Sequence, residues 1–382
     1  MDLFAAAPLP IAVLDHEQRI ACLRLIRSDN VGPVTFRELV NHYGGAEGAL
    51  AALPELVRRG GGKGRARVTS RAEAERELER AARTGAVPLF TIEPGYPRAL
   101  AAIEAPPPLV YVHGDTALLE RSAIAVVGSR EASAAGLKLT RLLTHDIAAA
   151  GYAIVSGLAR GVDAVAHETA LATGTIAVVA GGVDVIYPPE NDALQRAIAE
   201  RGVLVSEMPP GFQPRAKDFP RRNRLIAALS LGVLVVEAAR RSGTLVTARL
   251  AAELGREVFA VPGHPLDPRA EGTNHLLKLG ATLATCADDV IDALRPISGL
   301  PSGAFGEDHP PEAPLPPPLP PPEIRDDDRA RVLAALGPAP CDLDALARAS
   351  GLPARAIGIV LMELELAGRV TRHGGQLFSR ID

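Results

Sequence analysis

The sequence predicts an α/β protein centred on a doubly wound, mainly parallel sheet, with an all-α domain in front of it and a small helical module behind. Three observations carry this. From Ala123 onward a short apolar run, a glycine-rich turn and an amphipathic helix recur in the same order. The runs show no alternation of apolar and polar residues, so their strands are buried on both faces, as in parallel sheets covered by helices. A proline-rich segment then separates this region from a final module with its own helical pattern.

At 382 residues the chain has room for two or three domains, each with its own core. The net charge is −4, so binding to a polyanion has to come from local clusters and not from the protein as a whole. Cys22, Cys286 and Cys341 lie far apart and form no C-x-x-C pair. That argues for reduced thiols in a cytoplasm and against structural zinc. The start lacks a basic n-region, and no apolar run reaches bilayer-spanning length. A soluble, cytoplasmic protein without membrane association is the expectation.

Taken in order, residues 1–15 read as a loose arm and 1–85 as an N-terminal helical domain. A helix from Glu17, the turn Val31-Gly32-Pro33 and a second helix from Thr35 fit a helix-hairpin-helix of SAM-like type. In such a hairpin the glycine lets backbone amides approach a DNA phosphate, and the helix N-terminus favours its charge. A simple packed helical hairpin fits the same residues. A third helix over Gly48–Arg59, a basic stretch with Lys63, Arg65 and Arg67, and a charged helix over Arg71–Arg83 follow.

The main domain is placed at 86–297, entered through short strands at Pro88–Ile92 and Leu109–Val112. Its buried strands are Ala123–Val127, Ala153–Ser156, Thr175–Ala180, Val203–Ser206, Val233–Val236 and Val258–Val261. Helices are expected over Ala134–Ala150, Val162–Ala172, Glu190–Arg201, Asn223–Ser230 and Leu245–Leu254. A helix and short strand within Thr273–Leu283 and a helix near Asp288–Leu294 close it. Residues 298–325 form an extended, polyproline-like linker, because such a composition cannot build a core. Residues 326–382 give three helices, the third over Pro353–Ala367, and a hairpin turning at Gly374-Gly375: a winged helix. Its third helix is apolar and acidic, so protein contact and groove reading both stay open.

Ligands of an open parallel sheet bind outside the carboxyl ends of its strands. Those ends carry Gly128-Ser129-Arg130, then Gly157 with Arg160, then Gly181-Gly182, and Ser242-Gly243-Thr244 ahead of a helix. Glycine with a hydroxyl or an arginine is equipment for holding anionic oxygens on backbone amides. Between the strands at 203 and 233 lies a basic loop containing Arg215, Lys217, Phe219, Arg221, Arg222, Asn223 and Arg224. Cations track a phosphate backbone, and an aromatic ring can stack an unpaired base. Neither GxGxxG nor GxxxxGK[ST] is present, so no nucleotide cofactor is specified. The histidines show no metal-ligand spacing, and no nucleophile elbow occurs. Glu237 at a strand end could act as a base, but one acidic residue there is more often a ribose or amide partner, and Asp163 stabilises its own loop or helix start. Many anion-binding groups are present and no catalytic set is evident.

Five motifs in this order, GSR at 128–130, SGLARGVDAVAH at 156–167, FPRRNRLIAALS at 219–230, SGTLVTA at 242–248 and EGTNHLLKLGA at 271–281, resemble the DprA/Smf family of DNA-processing proteins. The resemblance implies a Rossmann-like domain that binds single-stranded DNA without catalysis and without a cofactor. It also implies loading of the RecA recombinase onto that strand in natural transformation and competence. Carried onto this chain, Arg130, Lys217, Phe219, Arg221, Arg222, Asn223 and Arg224 would meet the strand, and Ser242-Gly243-Thr244 would give amides to a phosphate. Family members form homodimers, which would involve the helices near Arg249–Leu254 and His275–Leu279. The sequence departs from the family pattern at Glu271 and Ala228, where serine and glycine are common. The alternative is a nucleoside-monophosphate phosphoribohydrolase on a related fold, for which Ser242-Gly243-Thr244 would be the phosphate loop. The glutamate-bearing signature of those enzymes is missing: Thr247-Ala248-Arg249 follows instead.

Overall fold

The computed structural model describes residues 13–61, 67–298 and 324–381. The arm up to residue 12, Lys63 and Arg65 of the basic stretch, and the proline-rich linker from 299 to 323 lie outside the described residues. The chain divides into two compact units. One joins the N-terminal helices up to Arg76, the segment Ile92–Pro94 and the C-terminal module; the other holds Glu77–Thr91 and the chain from Gly95 through the sheet domain.

In the first unit, α1 (His16–Ile26) begins at Asp15, whose carboxylate accepts from the Gln18 N–H while the Gln18 side chain accepts from the Asp15 N–H. Two orphan donors are thereby satisfied at once. The connection passes through Asn30 at a left-handed φ of 60°, then Gly32, into α2 (Pro33–Tyr43). Pro33 sits at the first helical position, where its missing N–H would have had no partner anyway. Next come α3 (Ala46–Arg59) and α4 (Arg71–Arg83), within which the division between the units falls.

The second unit is built on one nine-stranded sheet. Its first edge is antiparallel: β1 (Val87–Phe90), the short α5 (Arg98–Ala101) and β2 (Leu109–Gly114). Then follow β3 (Ala123–Val127), α6 (Ala134–Ala149), β4 (Ala153–Ser156), α7 (Val162–Ala170), β5 (Thr175–Val178), α8 (Asp192–Arg201) and β6 (Val203–Ser206). The second half comprises α9 (Asp218–Ala228), β7 (Gly232–Val235), α10 (Gly243–Glu253), β8 (Glu257–Ala260), α11 (Glu271–Lys278), β9 (Thr282–Leu283) and α12 (Ala287–Ser298). The strand order β1-β2-β6-β5-β4-β3-β7-β8-β9, parallel from β6 onward, puts the topological switch between β3 and β7.

Burial on both faces is visible within single strands. Ala123, Ala125 and Val127 of β3 join a core formed with α9 and α10, while Ile124 and Val126 join a separate core with α6, α7 and α12. This is why the apolar runs do not alternate.

The sequence places Phe219 to Arg222 in a loop and starts a helix at Asn223; the structure starts α9 five residues earlier, at Asp218. Pro220 lies in the first turn, where the proline has no intrahelical N–H bond to lose. The Asp218 carboxylate accepts from the Arg215 N–H at 2.8 Å and ties the approach to the helix. The polar run that reads as loop is therefore a helix start.

Back in the first unit, α13 (Asp326–Ala335), α14 (Leu343–Ser350), α15 (Ala354–Leu366), β10 (Val370–His373) and β11 (Leu377–Arg380) form the winged helix. Val332, Leu346, Ile357, Val360, Leu361, Leu364 and Phe378 close its core. No single helix among the described residues is long and apolar enough to cross a membrane.

Candidate nucleic-acid interface

Helical geometry sorts the residues of α9 by face, since positions three apart are neighbours and adjacent positions are not. Arg221 and Arg224 share one face and converge on Glu207, at 2.6 and 2.8 Å. Burial of Glu207 would raise its pKa, but Arg224 and Arg221 outweigh that and hold it below the usual range. Phe219 and Arg222 share another face and turn toward the ends of β3, β4 and β5.

There they line a cavity of about 210 Å³ together with Arg130, Gly157, Arg160 and Tyr187. The Phe219 ring, half-buried, has the Arg130 guanidinium 5.7 Å from its centroid and that of Arg222 at 5.8 Å. The Tyr187 ring lies 5.4 Å away and tilted, and Tyr187 is exposed. Cations over an aromatic face are attracted to its electron density. An aromatic pair at the mouth of a polar cleft leaves flat apolar surface beside positive charge.

Beneath this rim the charges are buried. Arg222 donates to the carbonyls of Gly157, just past β4, and Val178, the last residue of β5. Burial lowers its pKa to about 10, Asp163 opposes the shift, and Arg130 adds to it. Asp163 accepts from the Gly157 N–H at 3.2 Å and the Ala159 N–H at 3.3 Å. Burial raises its pKa against the pull of Arg222. A Cβ on Gly157 would lie 2.7 Å from the Arg222 guanidinium, so a larger residue there would have to displace that buried group. Behind them His167 is fully buried, its Nδ1 2.7 Å from the Thr175 hydroxyl, with burial lowering its pKa to about 3. A charged network this deep fixes the shape of the loops above it.

The remaining candidates are placed around this centre. Arg130 and Lys217 are exposed and make no ion pair among the described residues. Arg160 pairs loosely with Glu190 at 3.4 Å, both half-exposed. Ser129 accepts from the Glu131 N–H and Gly128 accepts from the Thr244 hydroxyl at 3.0 Å, so the first and fourth strand-end turns are joined. Ser242 caps α10 through the Thr244 N–H, and Asn223 reaches the Gly243 carbonyl at 3.5 Å. Glu237 accepts from the N–H and hydroxyl of Ser133, anchoring the start of α6 across the switch point. It is an amide partner, as its position in the sequence suggests.

Arg222 differs from the sequence expectation of a phosphate contact. Its guanidinium is committed to backbone carbonyls, because the helix begins early enough to point it inward. Arg221 and Arg224 already carry a carboxylate partner. Sequence reasoning missed Glu207 and Tyr187. Nothing local marks Glu207, which lies at the end of β6 and fourteen residues before Arg221. Tyr187-Pro188-Pro189, an aromatic in a stiff turn after a strand end, is a signal that could have been used.

The fold and site define a Rossmann-like protein with an aromatic and cationic cleft at its strand ends, in a chain that also carries a helix-hairpin-helix domain and a winged helix. A family model described as DNA recombination-mediator protein A matches residues 88–295, the DprA-like N-terminal HHH domain matches 16–81, and the DprA winged helix domain matches 314–376. Protein Smf of Escherichia coli is 42% identical over 280 residues, covering 72% of this chain and 72% of its own. The X-ray structure of DNA processing protein A from Streptococcus pneumoniae aligns with TM-score 0.63 and 33% identity, over 73% of this chain and 98% of that one. DNA processing protein A from Helicobacter pylori, whose structure is described as giving a single-stranded DNA binding mode, aligns with TM-score 0.51 and 33% identity, over 56% and 96%. The chain belongs to the DprA/Smf family of DNA-processing proteins.

Proposed function

We propose that this protein binds single-stranded DNA at the strand-end cleft, without sequence preference and without catalysis, and loads the RecA recombinase onto the strand. The observation that carries the reading is Phe219 at the cleft mouth, flanked by Arg130, Arg222 and Tyr187. A base stacks on the ring, Arg130 and Lys217 track the backbone, and the exposed part of Arg221 adds positive charge nearby. Amides at Gly128, Ser129 and Gly243 supply further donors, the Gly157, Ser242 and Thr244 N–H groups being held within their own turns, with Arg160, Asn223 and Arg224 bordering the path. The Helicobacter pylori relative supports the ligand, and the recombination-mediator description of the matched family supports the RecA role; the cytoplasm of a cell taking up DNA is the setting in which the two would meet.

A homodimer fits the far edge of the sheet. Leu279 is 71% exposed after α11 and Leu283 is 49% exposed on the edge strand β9, where unpaired backbone also faces out.

The test is anisotropy of a labelled thymine oligomer, titrated at two salt concentrations with a duplex competitor. Salt-sensitive binding that duplex does not displace supports the reading. Failure to bind at low salt overturns it, and release of free base from a nucleoside monophosphate would support the hydrolase instead. RecA filament growth on coated strands, with and without this protein, tests the loading step.

A further inference from the structure

The two elements that could grip duplex DNA, the turn into α2 and the third helix of the winged helix, meet inside one unit. α15 is buried over most of its surface, and no residue of it is fully exposed. Ile357, Val360, Leu361 and Leu364 fill the module's own core, while Ile359, Met362, Glu363 and Leu366 are buried outside it, where α15 packs on α3. The approach is close: a Cβ on Gly60, just past α3, would lie 2.1 Å from the Glu363 carbonyl oxygen. Glu363 itself is held by Arg329 at 2.7 Å.

At the α2 end, the Asn30 amide donates to the Leu366 carbonyl at 3.0 Å. Arg372 of β10 makes two bonds to Glu38 of α2, at 2.9 and 3.1 Å, and lies 3.4 Å from Glu365. The three side chains are only 15, 13 and 17% exposed. Burial raises the pKa of Glu365 against the pull of Arg372, and the Thr35 hydroxyl in the first turn of α2 lies beside it, outside hydrogen-bond geometry. Thr35 is fully buried. A helix N-terminus is where a phosphate would be favoured; here a carboxylate from the winged helix already stands against it.

We propose that the seam between α15 and the α2–α3 hairpin is a mutual mask: Glu365 and the end of α15 cover the hairpin's phosphate seat, the hairpin covers the groove-reading helix, and the Glu38–Arg372–Glu365 triad holds both shut against duplex DNA. The chemistry that would compete for the seat is a duplex phosphate backbone. The mask explains why α15 is apolar and acidic: its surface is made for a protein partner, and that partner is in the same chain. None of these residues lines the strand-end cleft.

The test uses the full chain with Arg372→Glu, which sets a third acid beside Glu38 and Glu365, and the swap Glu38→Arg with Arg372→Glu, which keeps the net charge. Hydrogen exchange of the α15 amides reports opening, and anisotropy of a labelled duplex reports binding. In Arg372→Glu the α15 amides should exchange about tenfold faster or more, and duplex affinity should rise about tenfold although the variant is two charges more negative. The swap should return both readouts toward the parent, and affinity for a thymine oligomer should stay within about twofold throughout. Faster exchange without a gain in duplex binding would show that the covered surfaces do not bind duplex, and unchanged exchange would show that the triad is no latch. A swap that binds duplex as tightly as the single variant would show that loss of the ion pair is not the cause. Each of these overturns the proposal, whereas loss of single-strand binding alone would implicate the cleft.

Discussion

The rim and the floor of the strand-end cleft both draw on the start of α9, yet they hold their charges in opposite ways. On the rim, Arg130 and Lys217 stand in solvent around the half-buried Phe219. In the floor, one turn further along the helix from Phe219, Arg222 is buried with Asp163 and His167 beneath the loops it supports. The difference teaches that a count of arginines overstates available charge. Of the five cations from Arg215 to Arg224, Arg222 frames the site, and Arg221 and Arg224 share the carboxylate of Glu207. Floor residues should therefore govern stability, and rim residues should govern binding.

The sharpest test of that division is Arg222→Met. It leaves the Asp163 charge and two carbonyls without their buried partner, which should cost about 3–5 kcal/mol in urea unfolding. Full stability with lost DNA binding would move Arg222 to the rim. The floor also makes a pH signature. The folded-state pKa of His167 is depressed to about 3 against an ordinary 6.5, so below that ordinary value the unfolded chain takes up a proton that the folded chain refuses. Stability should then fall with acidification by up to about 1.4 kcal/mol per pH unit, and His167→Leu should flatten the slope. An unchanged slope in that variant would assign the effect to other groups.

On the rim, Phe219→Ala should remove about 1–3 kcal/mol of single-strand affinity while leaving the unfolding midpoint nearly where it was. A large fall in the midpoint would make Phe219 part of the floor. Arg130→Ala should lower the slope of log affinity against log salt by about 0.7, the loss of one phosphate contact on a single strand. Arg130→Glu should weaken binding further, because repulsion replaces attraction. The smallest effect is expected from Glu207→Gln, which releases Arg221 and Arg224 and should raise affinity by about two- to fivefold. Weaker binding in that variant would mean that the pairing positions the arginines and does not withhold them.

Much of the fold is legible in the chain because period and punctuation agree. The strands from Ala123 to Val127 and from Ala153 to Ser156 fall where the apolar runs place them, since burial on two faces leaves a continuous signal. The start of α9 is not legible because proline and a run of arginines read as loop unless the first turn is known to tolerate them. The motifs locate the cleft, but they cannot say which arginine faces inward. That depends on the helical phase set by Asp218 and on Glu207, a partner supplied by another strand end. The docking of α15 was equally hidden, since its second buried face has the same composition as a helix packed in its own module.

The seam that joins Asn30 to Leu366 links residues 336 positions apart. At about 5–20 residues per second of synthesis, roughly 15–70 s separate the two on the ribosome. Through that interval the α2–α3 hairpin is made but uncovered, and the side of α3 that receives α15 is open to water. The sheet domain has time to fold while the hairpin waits. Closure of the first unit is then timed by translation, and a chain that terminates early, before α15, would release the hairpin without its cover.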